Sequence, residues 1–508
     1  MSSPGGQQFD TIVIGGGGSG LAAATSAAER GLSVLLLEKQ PQLGGTTGIA
    51  VGSFTAAATR MQRKFSLADS VDDHAEDAGK FAPPEIEARN HAELRRFFLA
   101  QAAETLDWLT DLGVAFHGPS PEPPNRVARM HNVVPNAKAY IAVLHARLLR
   151  LGGDVRCEAE VEEIVVRDGR ACGVVAKIGG QTHHFEARRG VVLATGDYAN
   201  NPALISRYKG EQFQTIEGIN PYATGEGHLL AEQLGAKLVN MDVTYGPELR
   251  FVPPPRPPHV QLLPAGGRLA RMMGAALPWV PQSLVSRIIK RLLVTWQHPE
   301  DALFDDGAIL VNRAGERFCN ELVWPEREIA VSLQPDKEAF ILLDERLLAR
   351  YSRWPHFIST APKIAYAYVE DYLRLRPDVA VKCDSLKEAA AERSLPADKL
   401  QATVDAFNCA ARGEAEDPFG RQAGEPLTGR RWLLLGPLKA FFTTTEGSAA
   451  IDEQFRVLDT EGSPIAGLYA VGQIGLGGQI LWGHGLHIAW AMTSGRLVGR
   501  VLSEAPVA

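Results

Sequence analysis

The sequence predicts an α/β fold built on a parallel sheet, because a strand, a glycine-rich turn, a helix and a second strand follow one another near its start. Residues 10–15 (DTIVIG) form a short β-branched apolar run, typical of a strand buried on both faces. An alanine-rich segment opened by glycines follows at 16–31, and a second apolar strand, LSVLLLEK, at 32–39. This order predicts a βαβ unit.

Length and composition narrow the class of protein. The 508 residues correspond to two or three domains at about 100–200 residues each. Hydrophobic residues make up 45% and charged residues 22%, which excludes a disordered chain or a coiled coil. The net charge of −7 gives no sign of the basic surface that nucleic-acid binding needs. No secretory signal or apolar run of about 18 residues is present, so we expect a cytoplasmic chain.

The five cysteines are scattered and form no CxxC or CxxCH pair. Haem, iron–sulfur and zinc sites all need thiolate or imidazole ligands at short, regular spacings. We therefore predict no metal site and reduced thiols.

Three glycines in the first turn point to a phosphate-bearing ligand. Gly15, Gly17 and Gly20 form GxGxxG between the strand and the helix. Gly15 permits the tight turn, Gly17 lets a pyrophosphate approach the backbone, and Gly20 lets helix and sheet pack closely. Glu38 ends the second strand, where a carboxylate accepts hydrogen bonds from ribose hydroxyls. Together these features predict a dinucleotide site.

A second loop of glycines and hydroxyls, EKQPQLGGTTGIAVGS at 38–53, follows directly, and a nicotinamide domain does not need it. With VEEIVV at 161–166, VVLATG at 191–196 and GLYAVGQ at 467–473, the chain resembles the FAD-binding domain of the fumarate reductase and 3-ketosteroid dehydrogenase superfamily. The segments at 314–321, 395–408 and 483–495 resemble the ketosteroid branch more closely.

The resemblance implies a discontinuous architecture. A Rossmann-like FAD-binding domain is expected from residues 1–246 and 436–508, and an inserted α+β capping domain from 247–435. The active site would lie in the crevice where the two domains meet.

The resemblance also implies which residues hold FAD, mostly through backbone groups. The segment GGTTGIA at 44–50 contains no histidine for a covalent link, so noncovalent FAD is expected. Gln473 stands where related flavoproteins often have an acid on the ribityl chain. The residues expected to contact FAD are Gly15, Gly17, Gly20, Glu38, Lys39, Gly45, Thr46, Thr47, Gly48, Val161, Ala194, Thr195, Gly196, Gly472, Gln473 and Gly485.

The substrate end departs from the dicarboxylate reductases. Those enzymes hold carboxylates with a His-His-Thr segment and an arginine in a GxNRLGG loop, whereas this chain has threonines at 443–445 and GQILWGHG at 478–485. Without bidentate cations, burying a dianion is too costly. We therefore expect a small apolar ketone or enone.

The ketosteroid pattern is matched only in part. Gly485 matches the glycine whose N–H polarises a carbonyl, but Leu481 stands at the tyrosine of that loop and Trp324 and Pro325 stand where the tyrosine base is expected. Replacement donors or acid/base groups are then needed. The candidates are His484, His487, Tyr222, Arg327 and His131.

Four of these candidates have an ordinary structural alternative. His484 and His487 are as readily packing or capping residues as donors. Tyr222 could approach the flavin edge or belong to the core, and Arg327 could carry a proton or form salt bridges. As an i,i+3 pair the two histidines lack the partners of a zinc site.

Three functions remain in competition. The leading hypothesis is an FAD-dependent dehydrogenase that introduces a C=C bond α,β to a ketone of a steroid-like or alicyclic substrate. The reverse reaction, reduction of a non-dicarboxylate enone or enoate, is the alternative within enzymes. A non-catalytic flavin electron-transfer subunit is the third. The electron acceptor or donor is not identified by the sequence.

A basic insert around residues 249–299 contains no Asp or Glu. Within it, residues 284–296 place apolar side chains at helical spacing opposite Arg287, Lys290 and Arg291. This amphipathic helix predicts either a peripheral membrane contact or a lid or subunit interface.

Overall fold

The computed structural model describes residues 7–507 apart from 257–262, 264, 277–278, 280–289, 292, 296, 362–364 and 423. From residue 7 to residue 193 the chain contains strands interspersed with helices. Strands β1 to β9 are Gln7–Ile14, Val34–Leu37, Ser53–Thr55, Ala115–Ser120, Met130–Val134, Asp154–Arg156, Ala159–Arg167, Arg170–Ile178 and Gln181–Leu193. Helices α1 to α7 are Gly18–Ala28, Gly45–Ile49, Arg60–Lys64, Val71–Ala78, Pro84–Glu87, Ala92–Leu112 and Lys138–Arg150.

The middle of the chain contains short strands and helices. Strands β10 to β19 are Glu217–Gly218, Leu238–Val239, Thr244–Tyr245, Glu248–Phe251, Ile309–Val311, Ala339–Leu343, Ser359–Ala361, Ala365–Ala367, Ala380–Cys383 and Trp432–Phe442. Helices α8 to α16 are Pro202–Tyr208, Glu226–Gln233, Gly267–Ala276, Ala302–Asp305, Glu326–Ser332, Glu345–Arg350, Val369–Leu375, Leu386–Glu392 and Ala397–Ala411. The described residues also include the 3₁₀ helices Glu211–Phe213 and Pro335–Lys337.

The chain ends with four strands and one long helix. Strands β20 to β23 are Thr444–Thr445, Ser448–Ala449, Arg456–Leu458 and Pro464–Ala470, and helix α17 is Leu486–Glu504.

The predicted βαβ unit is confirmed at the centre of an eight-stranded sheet. Its order is β22-β23-β8-β9-β1-β2-β6, with β7 paired to β8. Strand β1 is parallel to β2 and β9, and β23 is parallel to β9. The last residues of these strands, Ile14, Leu37, Leu193 and Ala470, therefore stand side by side at one edge. Every predicted cofactor loop that follows one of them opens at this edge, where α/β folds bind ligands.

Helices α1 and α17 pack directly against each other. A Cβ on Gly495 would lie 2.4 Å from the Ser19 carbonyl oxygen, and one on Gly499 would lie 2.6 Å from the Ala27 nitrogen. The small residues of both helices allow this approach. The C-terminal helix thus belongs to the same layered unit as the N-terminal strand.

A second sheet with its own apolar core forms the remaining unit. Its order is β10-β19-β15-β14, with β13 and β18 paired to β19. The two sheets agree with the α/β class and the added cap that the sequence predicts. The second sheet includes β10 and all of β19, and parts of these strands lie outside the predicted cap of residues 247–435. The boundaries between the domains stay a prediction.

Most of the predicted amphipathic helix at 284–296 lies outside the described residues. Within it, Leu293 is buried and Lys290 forms an ion pair of 2.8 Å with Asp371. Among the helices that the structure describes, none is both long and apolar enough to cross a bilayer. Membrane contact through this segment stays a prediction.

Candidate active site

The three glycines of the first turn occupy different surroundings. Gly15 has φ +109°, and a Cβ there would lie 2.4 Å from the Ala194 carbonyl oxygen. A Cβ on Gly20 would lie 1.9 Å from the Gly15 oxygen, whereas one on Gly17 meets nothing closer than 3.9 Å. Gly15 and Gly20 are therefore needed for packing. Gly17 leaves a groove that a side chain would fill, which suits a pyrophosphate.

The Glu38 carboxylate lies beneath this turn. It accepts hydrogen bonds from the Gly16 N–H at 2.7 Å and the Gln40 N–H at 2.8 Å, and it is largely buried. Each oxygen keeps a lone pair for a ribose hydroxyl. The neighbouring Lys39 instead pairs with Glu226 at 2.6 Å, so it ties the end of β2 to helix α9. Val161 lies in β7, which pairs with β8.

The GGTT loop forms the short helix α2 against the glycine turn. Gly44 forms a β-bridge with Gly17, and the Thr46 hydroxyl accepts a hydrogen bond of 2.9 Å from the Asn220 amide. Asn220 precedes Tyr222, whose side chain is 55% exposed. The predicted cofactor residues Gly45, Thr46, Thr47 and Gly48 thus border the same groove as Gly17.

The loops after β9 and β23 complete the groove. The Thr195 hydroxyl is buried and has no partner among the described residues, while Gly196 faces open space. Gly472 N–H donates to the Ser494 hydroxyl, and Gln473 donates 2.6 Å to the Thr445 carbonyl. A buried hydroxyl without a partner beside glycine-lined space fits a bound dinucleotide.

The start of α17 supplies backbone donors. Gly485 caps the helix with φ +81°, and the N–H groups of Gly485, His487 and Ile488 make no hydrogen bonds within the described part of the chain. The turn is anchored by the Thr55 hydroxyl, which donates 2.6 Å to the His484 carbonyl. Free N–H groups at a helix start stabilise negative charge.

His484 forms a charge pair beside these donors. Its Nδ1 lies 2.6 Å from Glu122 Oε1, which also accepts the His484 N–H at 2.8 Å. The hydrogen bond to Glu122 raises the pKa of His484 above its ordinary value. The side chain is 59% exposed, and its Nε2 makes no hydrogen bond to any described residue. The carboxylate thus fixes one nitrogen and leaves the other available in the cleft.

Aromatic and charged groups of β12, β13 and the segment before α17 lie near the Glu122–His484 pair. Tyr245 and Trp482 meet edge to face at 5.2 Å, and burial raises the pKa of Tyr245 to about 12, which keeps its hydroxyl a donor. Arg250 donates to Glu248 at 2.8 Å and to Thr443 at 3.3 Å. Its charge is therefore balanced inside the cleft.

Two buried acids lie behind the cofactor loops. Glu446 is fully buried, with Oε1 2.9 Å from His487 Nε2. Asp197 accepts hydrogen bonds from Thr444 at 3.0 Å and from the Ala199 N–H at 2.8 Å. Burial raises the pKa of Asp197 to about 6.

Sequence reasoning missed Glu122, Glu446 and Asp197. Each of the last two is a lone acid inside an apolar or hydroxyl segment, TTTEGSAA or LATGDYA, and that pattern is a usable signal. Nothing in the sequence pairs Glu122 with His484, which is 362 positions away.

Two predicted candidates lie elsewhere. His131 is buried between Thr59 and the Phe54 carbonyl, and burial lowers its pKa to about 4. Arg327 is held by Glu328 and Asp301, at 2.5 Å and 2.7 Å. Neither joins the groups around His484. Across the described ranges, no cluster of acids, histidines and cysteines fits a metal ion.

A family model described as an FAD binding domain matches residues 10–263 and 261–483. The chain belongs to this family. It is a flavoprotein oxidoreductase with FAD as its cofactor. The glycines that line the groove and Glu38 would hold FAD. The noncovalent attachment of FAD stays a prediction.

Curated relatives span nearly the whole chain. The NADH:fumarate oxidoreductase of Klebsiella pneumoniae is 25% identical over 92% of this chain, which covers 44% of that protein's length. A probable fumarate reductase of Shewanella frigidimarina is 26% identical over 96% of the chain and 74% of its own length. The vinyl phenol reductase of Lactiplantibacillus plantarum is 24% identical over 97% of the chain and 96% of its own length.

Solved structures share the fold. An open flavocytochrome c3 fumarate reductase superposes with a TM-score of 0.72 at 24% identity, covering 98% of this chain and 78% of that chain. The 3-ketosteroid Δ1-dehydrogenase of Sterolibacterium denitrificans gives 0.64 at 18% identity, covering 98% and 100%. The resemblance to the superfamily is confirmed. These comparisons do not favour the ketosteroid branch that the sequence analysis expected.

Proposed function

We propose that the protein interconverts a CH–CH bond and a C=C bond α,β to the carbonyl group of an uncharged, apolar substrate. The Glu122–His484 pair beside the free N–H of Gly485 carries this proposal. Bound FAD supplies the hydride acceptor or donor at its N5. The remaining requirements are a proton carrier at Cα and donors to the carbonyl oxygen.

His484 fits the proton carrier. In the oxidative direction, its neutral Nε2 accepts the Cα proton, and the Glu122 carboxylate stabilises the resulting imidazolium. In the reductive direction, the imidazolium returns that proton to Cα. Glu122 acts through His484 and is a positioning residue.

Two groups are suited to donate hydrogen bonds to the carbonyl oxygen of the substrate. The Gly485 N–H at the start of α17 and the Tyr245 hydroxyl each lack a hydrogen-bond partner among the described residues. Both are suited to an oxygen that gains negative charge as the Cα proton leaves. Donors that are fixed before the reaction need no reorganisation during it.

The balance of charge supports an uncharged substrate. Glu248 binds Arg250, and Glu122 binds His484, so each described cation of the cleft has a carboxylate partner. A dicarboxylate would have to displace one of these partners. Trp482 and Tyr245 instead offer aromatic surface to an apolar ring.

Two candidate reactions differ only in the direction in which the enzyme runs in vivo. Dehydrogenation of a ketone is supported by the oxyanion donors and the proton acceptor. Reduction of an enone is supported by the curated relatives, which are named as reductases of fumarate, urocanate and vinyl phenol. A diffusible electron carrier or a partner protein would complete either cycle.

Anaerobic flavin spectroscopy on the holoprotein tests the proposal. We expect a saturated cyclic ketone to bleach the oxidised flavin, or the matching enone to reoxidise the reduced flavin, and fumarate to do neither. Fumarate as the only reactive compound would contradict the substrate class. No reaction with any ketone or enone would favour the electron-transfer subunit.

A matched variant assigns the proton carrier. His484→Gln keeps a polar side chain but cannot carry a proton, so we expect the half-reaction to slow about 10²–10⁴-fold with FAD content unchanged. His131→Gln is the control, because His131 lies outside the group around His484. A normal rate in His484→Gln would show that another group moves the proton.

A further inference from the structure

Glu248 is a second carboxylate of the substrate cleft, and it is tied to the groups of the proposed reaction. It is the first residue of β13 and lies opposite Phe441 of β19. Its Oε2 accepts hydrogen bonds of 2.8 Å from Arg250 and 3.3 Å from the Thr443 hydroxyl. The Thr443 N–H in turn donates 2.9 Å to the carbonyl of Tyr245. Glu248 and Tyr245, which we propose as a carbonyl donor, are therefore joined through one residue.

The two carboxylate oxygens of Glu248 differ in their contacts. His298 Nδ1 lies 3.9 Å from Oε2, beside the donors from Arg250 and Thr443. Oε1 accepts no hydrogen bond from any residue that the structure describes. Burial acts to raise the pKa of Glu248, but the charge of Arg250 outweighs it, and the pKa lies below its ordinary value. Glu248 is thus a carboxylate with one oxygen ready to accept a hydrogen bond.

The other charged groups of the cleft are already engaged. Glu122 uses both of its oxygens, because Oε1 binds His484 and Oε2 accepts a hydrogen bond of 3.3 Å from Asn125. Arg250 is paired with Glu248 at 2.8 Å. Of these two carboxylates, Glu248 is therefore the one with an oxygen left for a ligand.

We propose that the substrate bears a hydroxyl group in addition to its carbonyl group, and that this hydroxyl donates a hydrogen bond to Glu248 Oε1. A carboxylate only accepts hydrogen bonds, so its partner must be a donor. An ammonium group is disfavoured, because Arg250 already balances the charge of Glu248. An uncharged hydroxyl needs no further charge to balance it. This inference rests on the proposed function and adds one polar group to an otherwise apolar ketone or enone.

Such a contact would select substrates as well as bind them. A site that hydrogen-bonds a substrate hydroxyl rejects the analogue without it, because the polar group of the site is then left without a partner. The side chain of Glu248 is 20% exposed, so a bound ring would remove most of the water that now reaches it. The hydroxyl preference is therefore a direct measure of the contact.

Matched cyclic ketones on the holoprotein test the inference. The probes are the positional isomers of hydroxycyclohexanone, their methyl ethers, which cannot donate, and cyclohexanone itself. The measured quantity is the second-order rate constant of the flavin half-reaction, either bleaching by the ketone or reoxidation by the matching enone. We expect one hydroxy compound to exceed cyclohexanone about 10–100-fold, as for a hydrogen bond to a charged group, and its methyl ether to lose this gain.

The outcomes separate this inference from the proposed function. Equal rate constants for the hydroxy compounds, the ethers and cyclohexanone would overturn the inference and leave the proposed function standing. Ketones and enones that all fail to react would overturn both.

Variants of Glu248 separate recognition from packing. Glu248→Met removes the acceptor, so the hydroxy compound and cyclohexanone should react equally well, even if both react more slowly. Glu248→Gln keeps a neutral acceptor and should show a reduced preference, and it decides the question if Glu248→Met does not fold. Thr443→Val removes a donor to Oε2 alone, so the preference should persist. A full wild-type preference in either Glu248 variant would overturn the inference.

Discussion

The cofactor groove and the substrate cleft of this protein are built from different chemical groups. The groove is formed largely by backbone and by missing side chains: Gly196 faces open space, and a Cβ on Gly17 would meet nothing closer than 3.9 Å. The cleft is formed by side chains that meet from distant segments, such as Glu122 with His484 and Arg250 with Thr443. Backbone binding depends on local turns, whereas paired charges depend on the complete fold. The two regions should therefore respond differently to substitution.

Alanine substitutions in the glycine turn give the largest expected effect. Gly20→Ala puts a Cβ 1.9 Å from the Gly15 oxygen, so we expect loss of bound FAD and a loss of about 3 kcal/mol or more in stability. Gly17→Ala meets nothing closer than 3.9 Å, so the apoprotein should keep its stability while FAD binding weakens. Thermal unfolding of apoprotein and flavin content per chain measure both. Equal destabilisation by the two changes would show that Gly17 does not face a groove.

The next largest effect is expected at the Gly485 N–H. Proline and alanine are unsuitable here, because φ is +81° and a Cβ would lie 2.8 Å from the Ser53 carbonyl oxygen. Replacing Gly485 with glycolate, which turns the amide into an ester, removes the N–H and keeps the backbone path. We expect turnover to fall about 10²–10³-fold with full flavin content. Unchanged turnover would leave Tyr245 as the main carbonyl donor.

A smaller effect is expected from Glu38, the charged side chain beneath the glycine turn. Glu38→Ala removes charge-assisted hydrogen bonds worth about 1.5–3 kcal/mol, so FAD affinity should weaken roughly 10–100-fold. Glu38→Gln, which preserves size, should have an intermediate effect. Titration of apoprotein with FAD measures this. Wild-type affinity in Glu38→Ala would show that the carboxylate only supports the Gly16 and Gln40 backbone.

The smallest expected effect concerns Asp197, an acid buried behind the cofactor loops. Its pKa is raised to about 6, so the folded state disfavours the charged form and loses stability as pH rises from about 4 to 6. Asp197→Asn should therefore stabilise the protein by about 1–3 kcal/mol at pH 8 and by little at pH 4. Denaturant unfolding at both values checks this. A loss of stability at pH 8 would show that the charged carboxylate is favoured.

The difference between the regions also explains what the sequence predicts. The βαβ unit and its glycine turn could be predicted because hydrophobic runs and glycine spacing are local. His484 could also be proposed from the sequence, but its partner Glu122 could not, because the pair joins the loop after β4 to the segment just before the last helix. Arg327 could not be excluded from sequence, since its partners Asp301 and Glu328 become evident only in the folded cap.

The central claim is that Glu122 tunes His484 as the proton carrier, and the pH dependence of flavin bleaching by a ketone tests it most directly. Oxidation needs neutral His484, so the wild-type rate should rise with pH through the raised pKa of that residue. Glu122→Gln removes the carboxylate that raises this pKa, so the rising limb of the pH–rate profile should move to lower pH while FAD content stays the same. For the reductive reaction, the rate should fall with rising pH, and this falling limb should move to lower pH as well. A limb that stays in place in Glu122→Gln, or survives in His484→Gln, would contradict the account.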